Sequence, residues 1–179
     1  MKSCLPLLLL GCASVAQAQE PGYRFDDIAP GSSVLVGSDS GLVLEHVFSK
    51  GSWGKNIVTV FEIADGQKSE FARFQFNRAG RLIKAARPDG ESLEFRPHGC
   101  TNVIGQCSYE LVYSDGQREN RVQTMQAKDE GYQITTFAGD GTVISQTYRT
   151  DDSHGWPLTS TDTRDGKTVT FTRLESSYQ

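Results

Sequence analysis

Three histidines, His46, His98 and His154, are the residues of this chain best suited to acid–base chemistry or metal binding. His154 follows Asp151 and Asp152, and His98 could meet it if their loops share one edge of a sheet. A structural zinc site needs four protein ligands, and no CxxC or His-x-His cluster is present in the sequence. We therefore predict no metal and no other cofactor.

A covalent or hydrolytic enzyme should show a recognisable set of residues. Residues 37–41 (GSDSG) resemble a nucleophile elbow only superficially, because the central residue is Asp39 rather than serine. The sequence also has no P-loop and no dinucleotide-binding glycine motif. Glycosidase carboxylates come from distant positions and leave no local spacing. The sequence thus predicts a non-enzymatic protein, with a secreted hydrolase as one alternative.

The first 18 residues have the pattern of a signal peptide. Lys2 precedes the apolar run 5–10, and Ala16-Gln17-Ala18 has the small-x-small pattern of a cleavage site. The apolar run is shorter than the roughly 20 residues that span a bilayer, so we predict no transmembrane segment in the mature chain. A rival interpretation is a lipobox at residues 9–12, which would lipidate Cys12. We predict a periplasmic or secreted protein, or alternatively an outer-membrane lipoprotein.

Charge and cysteine content agree with export. Lys2 is the one charged residue among residues 1–18, so a mature chain keeps 17 of the 18 basic residues and all 22 acidic ones, a net charge of −5. No basic patch stands out, so we predict no nucleic-acid partner. Of the four cysteines, Cys100 and Cys107 follow the leader. An isolated pair in an exported chain predicts a disulfide, with a metal or redox pair as the alternative.

Asp-Gly turns at a nearly constant spacing are the main evidence for the fold. Asp-Gly between apolar runs is a strong hairpin signal, because both central residues of a type I′ turn need positive φ. With Asp39-Ser40-Gly41 as a first variant, the spacings are 26, 24, 26, 25 and 25 residues. The turns are Asp65-Gly66, Asp89-Gly90, Asp115-Gly116, Asp140-Gly141 and Asp165-Gly166. Such a period predicts a repeated antiparallel meander.

The segments between the turns alternate in polarity like half-buried strands. We predict an all-β fold of about twelve strands in repeated hairpins, forming one domain over residues 33–175 after an N-terminal extension, 19–32. Residues 117–126 and 158–163 lack a consistently apolar face, which favours an open, curved sheet. A closed or half-open barrel is the alternative.

A second set of turns should lie at the opposite edge of the sheet, because alternate turns of a meander lie at opposite ends of its strands. This edge collects Trp53, His98, His154 and Trp156 with the loop between the two cysteines. Loops on one side of a repetitive scaffold often carry binding residues. We name these four residues as candidate binding residues. The alternative is that the aromatic side chains close the end of the core.

One stretch resembles a known repeat. Residues 76–95 read FNRAGRLIKAARPDGESLEF. This stretch resembles the YD repeat of the RHS family, with Phe76-Asn77 in place of Tyr-Asp and with Gly80-Arg81-Leu82, Pro88-Asp89-Gly90 and Phe95 matching in order. The repeats of that family are non-catalytic β-hairpins in large sheets or shells. The resemblance implies a hairpin architecture and a non-enzymatic role.

These observations predict an exported, non-enzymatic binding protein with a protein or cell-envelope ligand as its partner. A specific version is an immunity or inhibitor protein that neutralises another protein. The alternative from a different class is a carrier that holds an apolar ligand inside a barrel or half-barrel.

Overall fold

The computed structural model describes residues 23–95 and 104–179, and it forms a closed β-barrel of 12 antiparallel strands. Each strand pairs with its neighbours in the chain, and β1 pairs with β12 to close the barrel. The strands are β1 Ser33–Ser38, β2 Val43–Lys50, β3 Asn56–Ala64, β4 Gln67–Phe76, β5 Leu82–Ala86, β6 Ser92–Phe95, β7 Gly105–Val112, β8 Arg118–Lys128, β9 Gly131–Phe137, β10 Val143–Asp151, β11 Pro157–Arg164 and β12 Lys167–Ser177. One 3₁₀ turn, Ser52–Gly54, joins β2 to β3.

The predicted all-β meander of twelve strands is confirmed, and of the two predicted forms the sheet adopts the barrel. The open sheet was favoured because two segments lack an apolar face. These segments form β8 and β11, whose polar side chains find partners on the same face. Thr147 Oγ1 on β10 donates to Asp162 Oδ1 on β11 at 2.8 Å, and Arg121 pairs with Glu119 on β8. Polar strands can therefore close the barrel without leaving these groups unpaired.

The Asp-Gly turns belong to two types. Asp65-Gly66 and Asp165-Gly166 have positive φ at both residues, as the type I′ prediction requires. In the other three pairs only the glycine has positive φ, so the type I′ prediction is wrong there. A three-residue loop at these positions places the aspartate in a type I turn, and its Oδ1 accepts the backbone N–H two residues later. The inserted residue, Pro88, Ser114 or Gly139, accounts for the change.

The two ends of the barrel differ in how they are closed. We call the end that carries the Asp-Gly turns the Asp-Gly end, and the end that carries loops 51–55, 77–81, 129–130 and 152–156 the loop end. Residues 23–32, which we call the plug, pack into the loop end. Phe25 and Ile28 are buried in the main core cluster, and the Phe25 ring lies 4.8 Å from that of Phe48 and 5.1 Å from that of Phe76.

The plug fills space that the strands alone leave. An eight-stranded barrel is just wide enough for its own side chains to fill it, and diameter grows with strand number. Gly80 in loop 77–81 lets the plug approach closely, because a Cβ there would lie 2.3 Å from the carbonyl oxygen of Tyr23. The predicted N-terminal extension therefore contributes residues 23–32 to the core, while residues 19–22 lie outside the described part of the chain.

Candidate functional site: a cavity inside the barrel

A cavity of about 190 Å³, partly open to solvent, lies on the inner side of the barrel between strands β1–β2 and β10–β12. Most of its wall is apolar, and three polar side chains also reach it. It is lined by Val36, Leu44, Pro157, Leu158 and Phe171, together with His46, Arg149 and Ser160. An apolar pocket with a few polar groups is the usual form of a small-molecule site.

Strand register places these side chains on one face. Val36 pairs with Leu44 across β1 and β2, and Ser160 pairs with both Arg149 on β10 and Phe171 on β12. Directly paired residues of antiparallel strands project to the same face of the sheet. Because β1 and β12 pair, residues from the first two strands and the last three strands of the chain line one cavity.

Among the described residues that line the cavity, Arg149 is the only positively charged side chain, and it is held on several sides. Its Nε donates to Asp151 Oδ1 at 2.5 Å, and its Nη2 donates to the carbonyl oxygen of Gly155 at 3.1 Å. The guanidinium also lies 5.5 Å from the ring of Tyr23 in the plug and 6.0 Å from that of Tyr132. The side chain forms part of the cavity wall, so a molecule in the cavity can contact it.

Arg149 is positively charged at neutral pH. Burial by itself lowers its pKa, but the neighbouring oxygens of Tyr132, Asp151 and Tyr23 raise the pKa well above its ordinary value. Asp151 accepts a second hydrogen bond, from the Tyr132 hydroxyl at 2.6 Å. The site therefore holds a positively charged guanidinium whose charge is matched by one carboxylate.

His46 is the second polar group of the cavity, and it is neutral. Burial first, and then the charge of Arg149, lower its pKa to about 4. Its Nδ1 is buried and has no hydrogen-bond partner in the described part of the protein. An uncharged imidazole beside a charged guanidinium gives the cavity hydrogen-bonding capacity without adding a second charge.

A separate network fixes loop 152–156 beside the cavity. Asp152 Oδ1 accepts the backbone N–H groups of His154 and Trp156, and its Oδ2 accepts Arg173 Nη1 at 2.7 Å and the Tyr178 hydroxyl. Arg173 Nη2 also donates to the carbonyl oxygen of Trp156 at 2.7 Å. These contacts hold the segment that leads into β11 at Pro157, so they position the cavity wall.

The structure describes three of the four candidate binding residues predicted at this edge, and it separates the two tryptophans. Trp53 is 92% exposed, whereas Trp156 is 0% exposed in the core and meets the Tyr23 ring edge-on at 5.2 Å. His154 lies in loop 152–156 near the Tyr178 ring. His98 lies outside the described residues, so its position is not assigned. Trp53 and Trp156 do not form one surface.

The predicted disulfide has one partner in the described chain. Cys107 is buried on β7 beside Phe95 and Tyr109, while Cys100 lies outside the described residues. The pairing therefore stays a prediction. Among residues 23–95 and 104–179, no group of three or more His, Cys, Asp or Glu side chains is placed to hold a metal ion. In the same ranges, no helix is long and apolar enough to cross a membrane.

Sequence reasoning did not identify Arg149 and Ser160 as site residues, and it considered His46 only as one of three scattered histidines. Their positions are consistent with strand alternation, because Arg149 and Ser160 pair across β10 and β11 and both face the inside of the barrel. Which face of each strand points inward could be assigned only after the strand pairing was known. His46 joins them through the β1–β12 closure, which has no local sequence marker.

Comparisons of the chain with protein-family models, with curated proteins and with solved structures found no match.

Proposed function

We propose that this protein is a non-enzymatic carrier that binds one small apolar molecule inside its barrel. The observation that carries the proposal is the internal cavity, with five apolar side chains and three polar ones in its lining. The signal-peptide pattern and the acidic charge balance support a periplasmic or secreted location. This combination corresponds to the carrier alternative derived from the sequence.

The size of the cavity limits the ligand. An apolar cavity of roughly 150 Å³ can hold benzene, so a cavity of about 190 Å³ fits one ring with a short substituent. On the Asp-Gly side of the cavity, the inward-facing Thr147 and Asp162 are partly exposed. We therefore expect the ligand to enter from that end, opposite the plug.

The polar groups favour binding over catalysis. A nucleophilic serine needs a base within hydrogen-bonding distance. Ser160 and His46 both line the cavity, but the buried His46 Nδ1 has no hydrogen-bond partner among the described residues. Arg149 is held by Asp151 and a backbone carbonyl, which suits a fixed hydrogen-bond donor. A fixed donor orients a ligand and gives specificity.

Filling the cavity should abolish binding without unfolding the protein. In Val36→Phe the larger ring occupies the ligand space, and we expect the affinity for toluene to fall at least tenfold. Two-dimensional NMR titration of the protein with toluene measures this change. Overpacking costs about 1–3 kcal/mol, so thermal unfolding must verify that the variant is folded.

Leu35→Phe is the matched control, since Leu35 precedes Val36 on β1 and projects to the opposite face. It should leave toluene binding unchanged. Saturable toluene binding that Val36→Phe does not weaken, or no toluene binding by the unaltered protein, would contradict the carrier proposal.

A second candidate function rests on Trp53. The residue has a left-handed backbone, with φ 63°, and it is 92% exposed in the 3₁₀ turn of loop 51–55. Exposed tryptophans are frequent energetic centres of protein interfaces. We propose that Trp53 is the contact through which the loop end binds another protein or a cell-envelope ligand, as an immunity or inhibitor protein would.

Trp53→Ala tests this second candidate. We expect the variant to lose a partner that the unaltered mature protein captures from periplasmic extract, while its thermal unfolding stays the same. Leu174→Ala, an exposed apolar residue on β12, serves as the matched control and should retain the partner. Equal capture by Trp53→Ala and the unaltered protein would remove this candidate.

A further inference from the structure

The charges around the cavity indicate which ligands it accepts. Arg149 carries the single positive charge among the described lining residues, and Asp151 already lies 2.5 Å from its Nε. A guanidinium has five N–H donors. Arg149 uses one on Asp151, one on Gly155 and one on the Tyr23 hydroxyl. Donor capacity therefore remains for a ligand, although the charge of Arg149 is already balanced.

A second carboxylate lies next to the cavity on the Asp-Gly side. Asp162 is two residues beyond Ser160 on β11, so both side chains project to the same face. It accepts a hydrogen bond from the neutral Thr147 hydroxyl at 2.8 Å. Arg173, which donates to the carbonyl oxygen of Pro157 in the cavity wall, is paired with Asp152, so these two charges cancel. Of the remaining groups, Asp151 and Asp162 outnumber Arg149, and the neutral His46 adds no positive charge. The space around the ligand therefore has a net negative charge.

An anionic ligand would meet unfavourable electrostatics at this site. It would leave water for an apolar cavity, and its attraction to Arg149 would be offset by repulsion from Asp151 and Asp162. A neutral oxygen acceptor loses much less hydration, and it can still accept a hydrogen bond from the free guanidinium N–H groups. Specificity here comes from the unfavourable free energy of binding an anion as well as from favourable contacts to a neutral ligand.

We propose that the cavity selects uncharged molecules, in which an apolar ring or short chain is joined to a carbonyl or hydroxyl oxygen, over carboxylates of the same shape. The oxygen accepts from Arg149, and the apolar body packs against Leu44, Pro157 and Phe171. This inference rests on the carrier function proposed above and names the chemical class of its ligand.

Acetophenone and benzoate form a matched pair of probes, because both join one ring to a carbonyl group and only benzoate is charged at pH 7.5. NMR titration of the full mature chain should give acetophenone at least tenfold tighter binding. In Asp151→Asn the charge of Arg149 is no longer matched, and the acetophenone-to-benzoate ratio of affinities should shift at least tenfold toward benzoate. Asp162→Asn should shift it in the same direction by a smaller factor.

Asp89→Asn is the control for net charge, because Asp89 lies in an exposed turn at the Asp-Gly end. It should leave the ratio unchanged. Benzoate binding as tight as acetophenone binding in the unaltered protein would overturn the inference and leave the carrier function standing. Binding of neither probe would also overturn the inference, and the toluene titration then decides whether the carrier function stands. A ratio that stays constant in folded Asp151→Asn and Asp162→Asn would also overturn the inference.

Discussion

Trp156→Ala is expected to lower the free energy of unfolding by about 3–5 kcal/mol, the usual cost of removing a large aromatic side chain from a core. Trp156 is fully buried and belongs to the core cluster that contains Phe48 and Phe76. Its ring packs edge-on against Tyr23, so its loss also weakens the contact between plug and barrel. Urea unfolding followed by circular dichroism measures the change without relying on tryptophan fluorescence.

Trp53→Ala is the matched control for this prediction, since it removes the same side chain from an exposed position at the same end of the barrel. It should change stability by no more than about 0.5 kcal/mol. Trp156→Phe should cost clearly less than Trp156→Ala, because it keeps a ring in the core and removes the buried Nε1, which has no hydrogen-bond partner among the described residues. Equal effects of Trp53→Ala and Trp156→Ala would contradict the burial that the structure assigns.

The two tryptophans show how far local sequence can predict a fold. Both lie next to glycine in a turn at the loop end, and both were predicted as binding residues. Trp156 is drawn inward because its N–H bonds to Asp152 and the chain enters β11 at the next residue. Trp53 has a left-handed backbone within a 3₁₀ turn and points to solvent. The difference depends on contacts with Tyr23 and Arg173, which lie far away in the chain.

The strand order could be predicted from the sequence for a clear physical reason. Asp-Gly turns act locally, and each one brings two neighbouring strands together. Even β8, whose composition includes many helix formers, follows this period as a strand. Closure has no such local signal, because it pairs β1 with β12 through a register shift between Leu35 and Val36. The candidate site depends on that closure, so it could not be located before the barrel was known.

The stability of the protein should fall as the pH is lowered from 7 toward 4, and His46 is expected to account for a large part of this change. The pKa of His46 is about 4 in the folded protein, against 6.5 for an ordinary histidine. Between these values the unfolded chain binds a proton that the folded chain does not. The stabilisation is therefore complete above pH 6.5 and is lost as the pH falls through this range.

The difference in the pKa of His46 between the folded and unfolded states corresponds to about 3 kcal/mol of stability, once the pH is low enough for His46 to be protonated in both states. It arises because protonation would place a charged imidazole in a buried position beside Arg149. Urea unfolding at several pH values between 7 and 4 measures it. Carboxylates with lowered pKa, such as Asp152, also lose stabilising charge in acid, so the comparison must be made with His46→Gln, which keeps those groups.

His46→Gln should flatten the profile by the amount that His46 contributes, because glutamine keeps hydrogen-bonding groups and does not titrate. Parallel profiles for His46→Gln and the unaltered protein would show that the imidazole is not buried beside Arg149 in the folded state. Such a result would also weaken the proposed ligand preference, since a positively charged His46 would cancel the net negative charge around the cavity and remove the penalty on anions. The pH dependence of folding thus tests the same juxtaposition on which ligand selection depends.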